Sequence, residues 1–238
     1  MADALSSGSV LLNNPVTSIA QKADKVLITT KKGKRFQAKK AILANIPSSY
    51  GRIEFQPALP ADKQSLTVDS LPGIYAKMIV SYKSAWWREA GLSGNLFSYT
   101  GPITYGLEIA VPELEQYSLA LFIAGDFASD WFALPDPEKE SVVVEHLATM
   151  VGEELAEQAR ATIEIHYTEW THEEYIAAGP TDALGPGALR KYGETLRQPF
   201  EHLHFASTET AYAWKGYLEG AVTAGYRAAE EVIAALRS

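Results

Sequence analysis

The C-terminal stretch constrains this chain more than any other part of it. Leu203-His204-Phe205-Ala206 is a short apolar run that breaks into the hydroxyl-rich Ser207-Thr208-Glu209-Thr210. An aromatic corner follows, Trp214-Lys215-Gly216-Tyr217, and then Leu218-Glu219-Gly220-Ala221-Val222 opens a helix with small residues in its first turns. Strand, bend and small-residue helix in that order let helix amides come close to a ligand, and those amides favour negative charge. The arrangement suits an anionic, planar cofactor.

These residues resemble the C-terminal motif of the FAD-dependent amine oxidases, the monoamine and polyamine oxidase group. That motif reads roughly F-A-G-T-E-T, a short spacer, then W-x-G-Y-x-E-G-A, and Ser207 stands where the family has glycine. The resemblance runs from about Asn13 to the C-terminus. The family's other landmark, a strand, a G-x-G-x-x-G turn and a helix with a ribose-binding acid downstream, is not found in the 238 residues. The nearest imitation, Gly185-Pro186-Gly187, has Arg190 at the third glycine and no apolar strand before it.

Periodicity gives the organisation. Val26 to Thr30, a turn at Lys31-Lys32-Gly33-Lys34 and Arg35 to Ala38 read as a hairpin with its lysines in solvent, and Ala41 to Ala44 as a buried strand. Ala61 to Val68 reads as a short helix, and Ile74 to Tyr82 and Leu119 to Ala124 as strong strands. Trp86-Trp87-Arg88 and the segment from Ala90 to Gly106 read as loop and edge strand. Asp136 is the expected N-cap of a helix reaching Val151, with Pro137 at its first position, and Glu153 to Ala159 a second short helix. Ile163 to Tyr167 is an expected strand, followed by an irregular segment to Phe200. Leu203 to Ala206 is the next strand, and the final helix runs from about Tyr217 to Leu236.

The fold class expected from this order is α+β. The resemblance makes it a mixed or antiparallel substrate-domain sheet with flanking helices, plus the C-terminal pieces of a Rossmann-like FAD-binding domain. The expected divisions are a flexible terminus over 1–9, a partial FAD-binding hairpin and strand over 10–50, a substrate-binding-like domain over 51–168, and the FAD motif with its helix over 169–238. Sheet edges left open must be covered by something.

Two residues carry chemistry by resemblance. Lys77 interrupts an apolar run, and alternation alone points it to solvent with Tyr75 and Ile79. The resemblance places it otherwise, because Leu71-Pro72-Gly73, Lys77, Tyr82-Lys83 and Trp87-Arg88 match the family's pattern around a lysine that holds a water against flavin N5. Tyr217, at the mouth of the final helix, matches one wall of an aromatic cage that aligns the amine; its alternative is an ordinary packed tyrosine. The family's covalent-flavin cysteine falls on Gly179 and its second cage aromatic on Pro180, so the FAD implied is non-covalent. The resemblance also places near the cofactor Val16 at the adenine, Asn45 at a strand end, Trp170 beside the isoalloxazine, and Ser207 and Thr208 at the ribityl and pyrophosphate region. Lys215 and the Leu218 amide come near the pyrimidine edge. Trp170 reads equally well as an ordinary core residue.

Other classes have little support. Twenty-nine acids against 21 bases give a net charge of −8, which disfavours nucleic acid and anionic membranes. With no cysteine, thiolate chemistry is excluded. His202 and His204, spaced i, i+2, lack a third ligand, so no metal site is expected. Neither a signal peptide nor an apolar run of membrane length is present, and the expectation is a soluble, cytoplasmic protein. The resemblance implies an amine substrate, oxidation of its C–N bond by hydride transfer to FAD and reoxidation by oxygen. The resemblance implies the substrate-domain and C-terminal portion of such an oxidase, either a fragment or a subunit with a partner chain supplying the nucleotide-binding half or with self-association, and the isolated chain, lacking the glycine-rich turn, is expected to be inactive. The alternative is a non-catalytic binding or interaction protein that keeps the fold without the cofactor.

Overall fold

A computed structural model describes residues 2–237; Met1, in the segment expected to be flexible, and Ser238 lie outside it. The chain forms two compact units, one of residues 1–71 and 181–238, the other of the continuous segment 72–180. The architecture is α+β with several sheets, as the order of elements predicts.

The first unit opens with β1 (Val16–Gln21), β2 (Val26–Thr30), β3 (Arg35–Ala38), β4 (Ala41–Leu43), β5 (Glu54–Gln56), α1 (Ala61–Asp69) and β6 (Ser70–Pro72). The order β3-β2-β1-β5 makes one sheet, in which only β1 and β5 run parallel. The expected hairpin is present: Gly33 takes φ of +78° and its amide donates to Thr30 O at 2.8 Å, leaving Lys31, Lys32 and Lys34 exposed. Glycine adopts that left-handed conformation without a Cβ penalty.

The second unit holds β7 (Tyr75–Tyr82), α2 (Trp86–Glu89), β8 (Leu96–Phe97), β9 (Tyr105–Glu108), β10 (Tyr117–Ala124), α3 (Asp126–Phe132), α4 (Asp136–Val151), α5 (Ala156–Arg160) and β11 (Glu164–Thr168). Its antiparallel sheet has the order β11-β7-β10-β9-β8. Along β7 burial alternates strictly, with Ala76, Met78, Val80 and Tyr82 buried on one face against Trp87, Trp131, Val143 and Leu147. That face is the unit's core; Tyr75, Lys77 and Ile79 lie on the other.

Three local expectations change in this unit. Trp86 and Trp87 sit in a short helix instead of a loop, because both indoles turn inward beside Tyr82 at ring distances of 5.6 and 5.7 Å. The N-cap of α4 is Pro135 and not Asp136, and Pro137 takes the second position. The Asp136 carboxylate pairs with Lys139 Nζ at 3.0 Å instead of capping the helix. Helix α3, not foreseen, starts after Gly125, whose φ of +65° turns the chain out of β10.

The chain then returns to the first unit through β12 (Asp182–Leu184), α6 (Ala188–Tyr192), β13 (Leu203–Phe205) and α7 (Leu218–Arg237). Short β12 and α6 interrupt the segment read as irregular up to Phe200. β13 and β4 form a two-stranded parallel sheet with Phe205 opposite Leu43. Helix α7 packs its small face, Gly220, Ala224 and Ala228, inward.

Candidate functional site

The carboxyl ends of β4 and β13 lie side by side, and parallel strands bind ligands in the crevice beyond such ends. Asn45 follows β4 by two residues and Ser207 follows β13 by two, while the Ala206 amide donates to Leu43 O at 2.9 Å and keeps the two ends level. Asn45 Oδ1 and Glu209 Oε2 are buried polar atoms without a partner among the described residues, and the buried Ser207 Oγ and Tyr50 Oη have at most each other. Buried polar atoms are nearly always satisfied, so several orphans at strand ends mark a place where a polar ligand or water belongs.

Thr208 connects this crevice to the final helix. Its hydroxyl accepts from the Gly216 amide at 2.9 Å and donates to Tyr217 O at 3.2 Å. Gly216 has φ of +81°, which turns Tyr217 outward, and Tyr217 is 65% exposed with Trp214 edge-on at 5.9 Å. A Cβ on Gly220 would fall 2.2 Å from Trp214 O and 2.8 Å from Thr208 Oγ1, so the helix can approach the bend only with glycine there. The opening amides of α7, from Leu218 on, lack intrahelical acceptors as in any helix. Arg227 ties the helix to the strand through Phe205 O and Thr210 Oγ1, and its pair with Glu231 extends to His204 Nδ1, 3.0 Å from that carboxylate.

A hollow of about 290 Å³ adjoins the bend, lined by Ser70, Thr181, Asp182, Glu209 and Lys215 among others. Thr181 Oγ1 donates to Glu209 Oε1 at 2.9 Å, and Asp182 accepts from the Ser48 amide and hydroxyl, both at 2.9 Å. The Lys215 ammonium is pushed down by burial, then by Arg197, with Glu209 opposing. Burial, with Glu209 and Asp182 nearby, raises the Tyr50 hydroxyl well above the ordinary tyrosine range.

Of the residues singled out in the sequence, Asn45, Ser207, Thr208, Lys215, Tyr217 and Leu218 therefore belong to one unit, and hydrogen bonds join Thr208 directly to the Tyr217 corner. Val16 is in that unit but in the other sheet, opposite Thr30 at the start of β1.

Lys77 and Trp170 belong to the second unit. Lys77 pairs with Phe122 in β10 and Thr168 in β11, and its Nζ stands 5.6 Å from the Phe122 ring centroid. Around it the open face of the sheet is aromatic. Tyr105 stacks on Phe122 at 4.3 Å, the Tyr75 and Tyr105 hydroxyls are 2.7 Å apart, and Phe97, 74% exposed, flanks Tyr105. Trp170 begins a 3₁₀ turn whose Thr171 hydroxyl accepts from the Tyr75 amide at 2.8 Å, two residues before Lys77. Glu169 steadies that turn by pairing with Lys139 at 2.5 Å. Gly179 donates to Gly73 O at 2.7 Å, and a Cβ on it would lie 2.9 Å from Tyr75 Cβ.

Sequence reasoning missed Tyr50, Thr181 and Asp182, which carry no local signal because their partners are distant in the chain. Lys63 was legible in principle. It shares a helix face with Leu66, and it is 4% exposed. The histidines have ordinary roles, His202 Nε2 lying 2.9 Å from Lys22 O. Among the described residues no three His, Cys, Asp or Glu form a metal-type cluster.

Comparison with known proteins bears on this geometry. A family model described as flavin containing amine oxidoreductase matches residues 1–233. An L-amino acid dehydrogenase of Synechocystis is 33% identical over 228 residues, covering 96% of this chain and 47% of that protein. Amine oxidase [flavin-containing] B of Canis lupus familiaris is 35% identical over 231 residues, covering 95% and 44%. Among solved structures, cyclohexylamine oxidase from Brevibacterium oxydans superposes with a TM-score of 0.91 at 32% identity, over 100% of this chain and 51% of that one. A putrescine oxidase variant gives 0.89 at 28%, again over 100% and 51%. The chain spans about half the length of the curated relatives it matches.

Proposed function

The chain belongs to the flavin-containing amine oxidoreductase family, and from that membership we propose that it supplies the flavin-facing bend and the substrate face of an oxidase acting on an amine C–N bond. The observation that carries the reading is the set of orphaned polar atoms at the ends of β4 and β13 beside the start of α7. They fit the polar edge and ribityl chain of a flavin, and Asn45, Ser207, Thr208, Lys215 and the Leu218 amide are the groups that would hold it. When bound, FAD would take up the two electrons of the amine's α-C–H bond as hydride and pass them to oxygen, so that amine, oxygen and water give a carbonyl compound, ammonia and peroxide.

The chain's own residues orient and exclude. Thr208 fixes the Gly216-Tyr217 corner and so the direction of the Tyr217 ring, one wall against which an amine aligns. Lys77, rising from the aromatic face of Tyr75, Tyr105 and Phe122, holds a water for the reaction with oxygen, and the rings take the apolar part of the substrate. Attachment of the cofactor is non-covalent. Gly179 carries no sulfur, and its approach to Tyr75 leaves a side chain there no space without a shift.

No glycine-rich pyrophosphate cradle occurs within the 238 residues, so activity requires a nucleotide-binding half, whether carried by the same protein or by a partner chain. The non-catalytic reading rests on the same fact. Equilibrating the purified chain with FAD, removing free flavin by gel filtration and recording the visible spectrum of the protein fraction separates the two. A fraction that retains flavin saturably supports the flavin reading, and one that retains none at saturating FAD overturns it. No helix among the described residues is long and apolar enough to cross a membrane.

A further inference from the structure

A second hollow of the first unit, about 550 Å³, is lined by Arg190, Lys191, Arg197 and Lys215 against only two carboxylates, Asp62 and Glu194. In a chain of net charge −8 this is a local reversal of sign. Its construction is specific. Arg190 and Lys191 occupy the last turn of α6, where Tyr192 and Leu196 pack with Leu66 in a small core. Gly193 lets the chain fold back, since a Cβ there would lie 2.4 Å from Leu189 O. The returning turn carries Arg197, whose guanidinium stands 4.1 Å from the centroid of Tyr212, a ring 80% exposed.

Among the described residues Arg190, Arg197 and Lys215 have no carboxylate within ion-pair distance. Gathered cations raise one another's cost, and the downward push of Arg197 on the Lys215 ammonium shows that repulsion. A bound anion relieves it.

We propose that this hollow binds a diphosphate group, free or as part of a nucleotide, between Arg190, Arg197 and Lys215. Guanidinium forks match phosphate oxygens two at a time, which a carboxylate-sized or monovalent anion uses less fully. The hollow is far larger than a single phosphate and falls within the range of small-ligand sites. Tyr212 adds a flat surface for a base beside the charge. Lys215 borders both hollows, but Arg190 and Arg197 line this one alone, and on them the inference stands apart from the flavin reading and survives its failure.

The test is calorimetric titration of the full chain at low ionic strength with sodium pyrophosphate, inorganic phosphate and ADP. Pyrophosphate is expected to bind at least about tenfold more tightly than phosphate and to weaken steeply with salt. Arg190→Gln, at an exposed residue without a hydrogen bond or ion pair among the described residues, and Arg197→Gln are each expected to weaken it about fivefold or more. Arg237→Gln, at the end of α7, leaves it unchanged. ADP binding more tightly than pyrophosphate identifies a nucleotide source, and equal binding a free diphosphate. Absence of saturable heat with pyrophosphate, or Arg190→Gln and Arg197→Gln binding it as tightly as the parent while keeping the parent circular dichroism, overturns the assignment.

Discussion

Lys63 lies beneath the Phe205 ring, its ammonium 3.7 Å from the ring centroid and donating to Thr195 O at 2.5 Å. Burial first, then Arg227, push it down from 10.5 to about 8, with Glu231 opposing. Below pH 8 folded and unfolded chains both carry the charge, and the folded state bears the full cost of burying it. Between pH 8 and 10.5 the unfolded chain holds more protons, so stability rises with pH, and above 10.5 the cost is gone. Lys63→Met is therefore expected to stabilise at pH 7 by on the order of 2 kcal/mol, with the gain shrinking towards pH 10.5. Urea unfolding at pH 7, 9 and 10 checks this; a gain independent of pH would falsify it. For Thr208 the expectation has the opposite sign. Thr208→Val deletes the bonds to Gly216 and Tyr217 and should cost roughly 1–2 kcal/mol, Thr208→Ser much less. Thr208 was legible because it sits inside a contiguous motif. Asp182 was not, because its hydrogen-bond partner Ser48 lies far back in the chain.

Helix α7 offers an internal comparison at the scale of an element. Gly220 meets Trp214 O and Thr208 Oγ1, whereas a Cβ on Gly225 would meet nothing within 4 Å. Gly220→Ala should destabilise by about 1–3 kcal/mol through overpacking. Gly225→Ala should stabilise by about 0.5–1 kcal/mol, since alanine loses less backbone entropy in a helix. Thermal melts of the two variants decide the matter, and equal shifts would refute the close approach. Most elements were readable because their periods are clean: β7 alternates residue by residue, and the Lys31 to Lys34 turn places glycine where a positive φ is required. Misreadings fell where tertiary contacts override local preference. Asp136 spends its carboxylate on Lys139, and paired tryptophans turn inward as a helix.

Across the whole molecule, α7 displays an outward row, Leu218, Val222 and Tyr226, spaced four residues apart on the side away from Gly220, Ala224 and Ala228. With Trp214 and Tyr217 also exposed, this surface suits self-association or the proposed nucleotide-binding partner. Light scattering on the chain alone should show a mass that grows with concentration and reverts to one copy in Leu218→Glu with Tyr226→Glu. A mass of one copy at every concentration refutes self-association. The overall class and the C-terminal bend could be read directly, since both lie in contiguous sequence. The cationic hollow could not, since its four cations come from three separate segments of the fold.

The continuous segment 72–180 interrupts the other unit, and this sets an order of events during synthesis. Every strand of its sheet emerges before residue 181, so it can close while the ribosome is still extending the chain. Leu43, by contrast, waits for Phe205 before β4 has its neighbour. Such remote pairings carry high contact order and form late. Until then β4 is a nascent strand without its mate, and that interval is when a chaperone has most to protect.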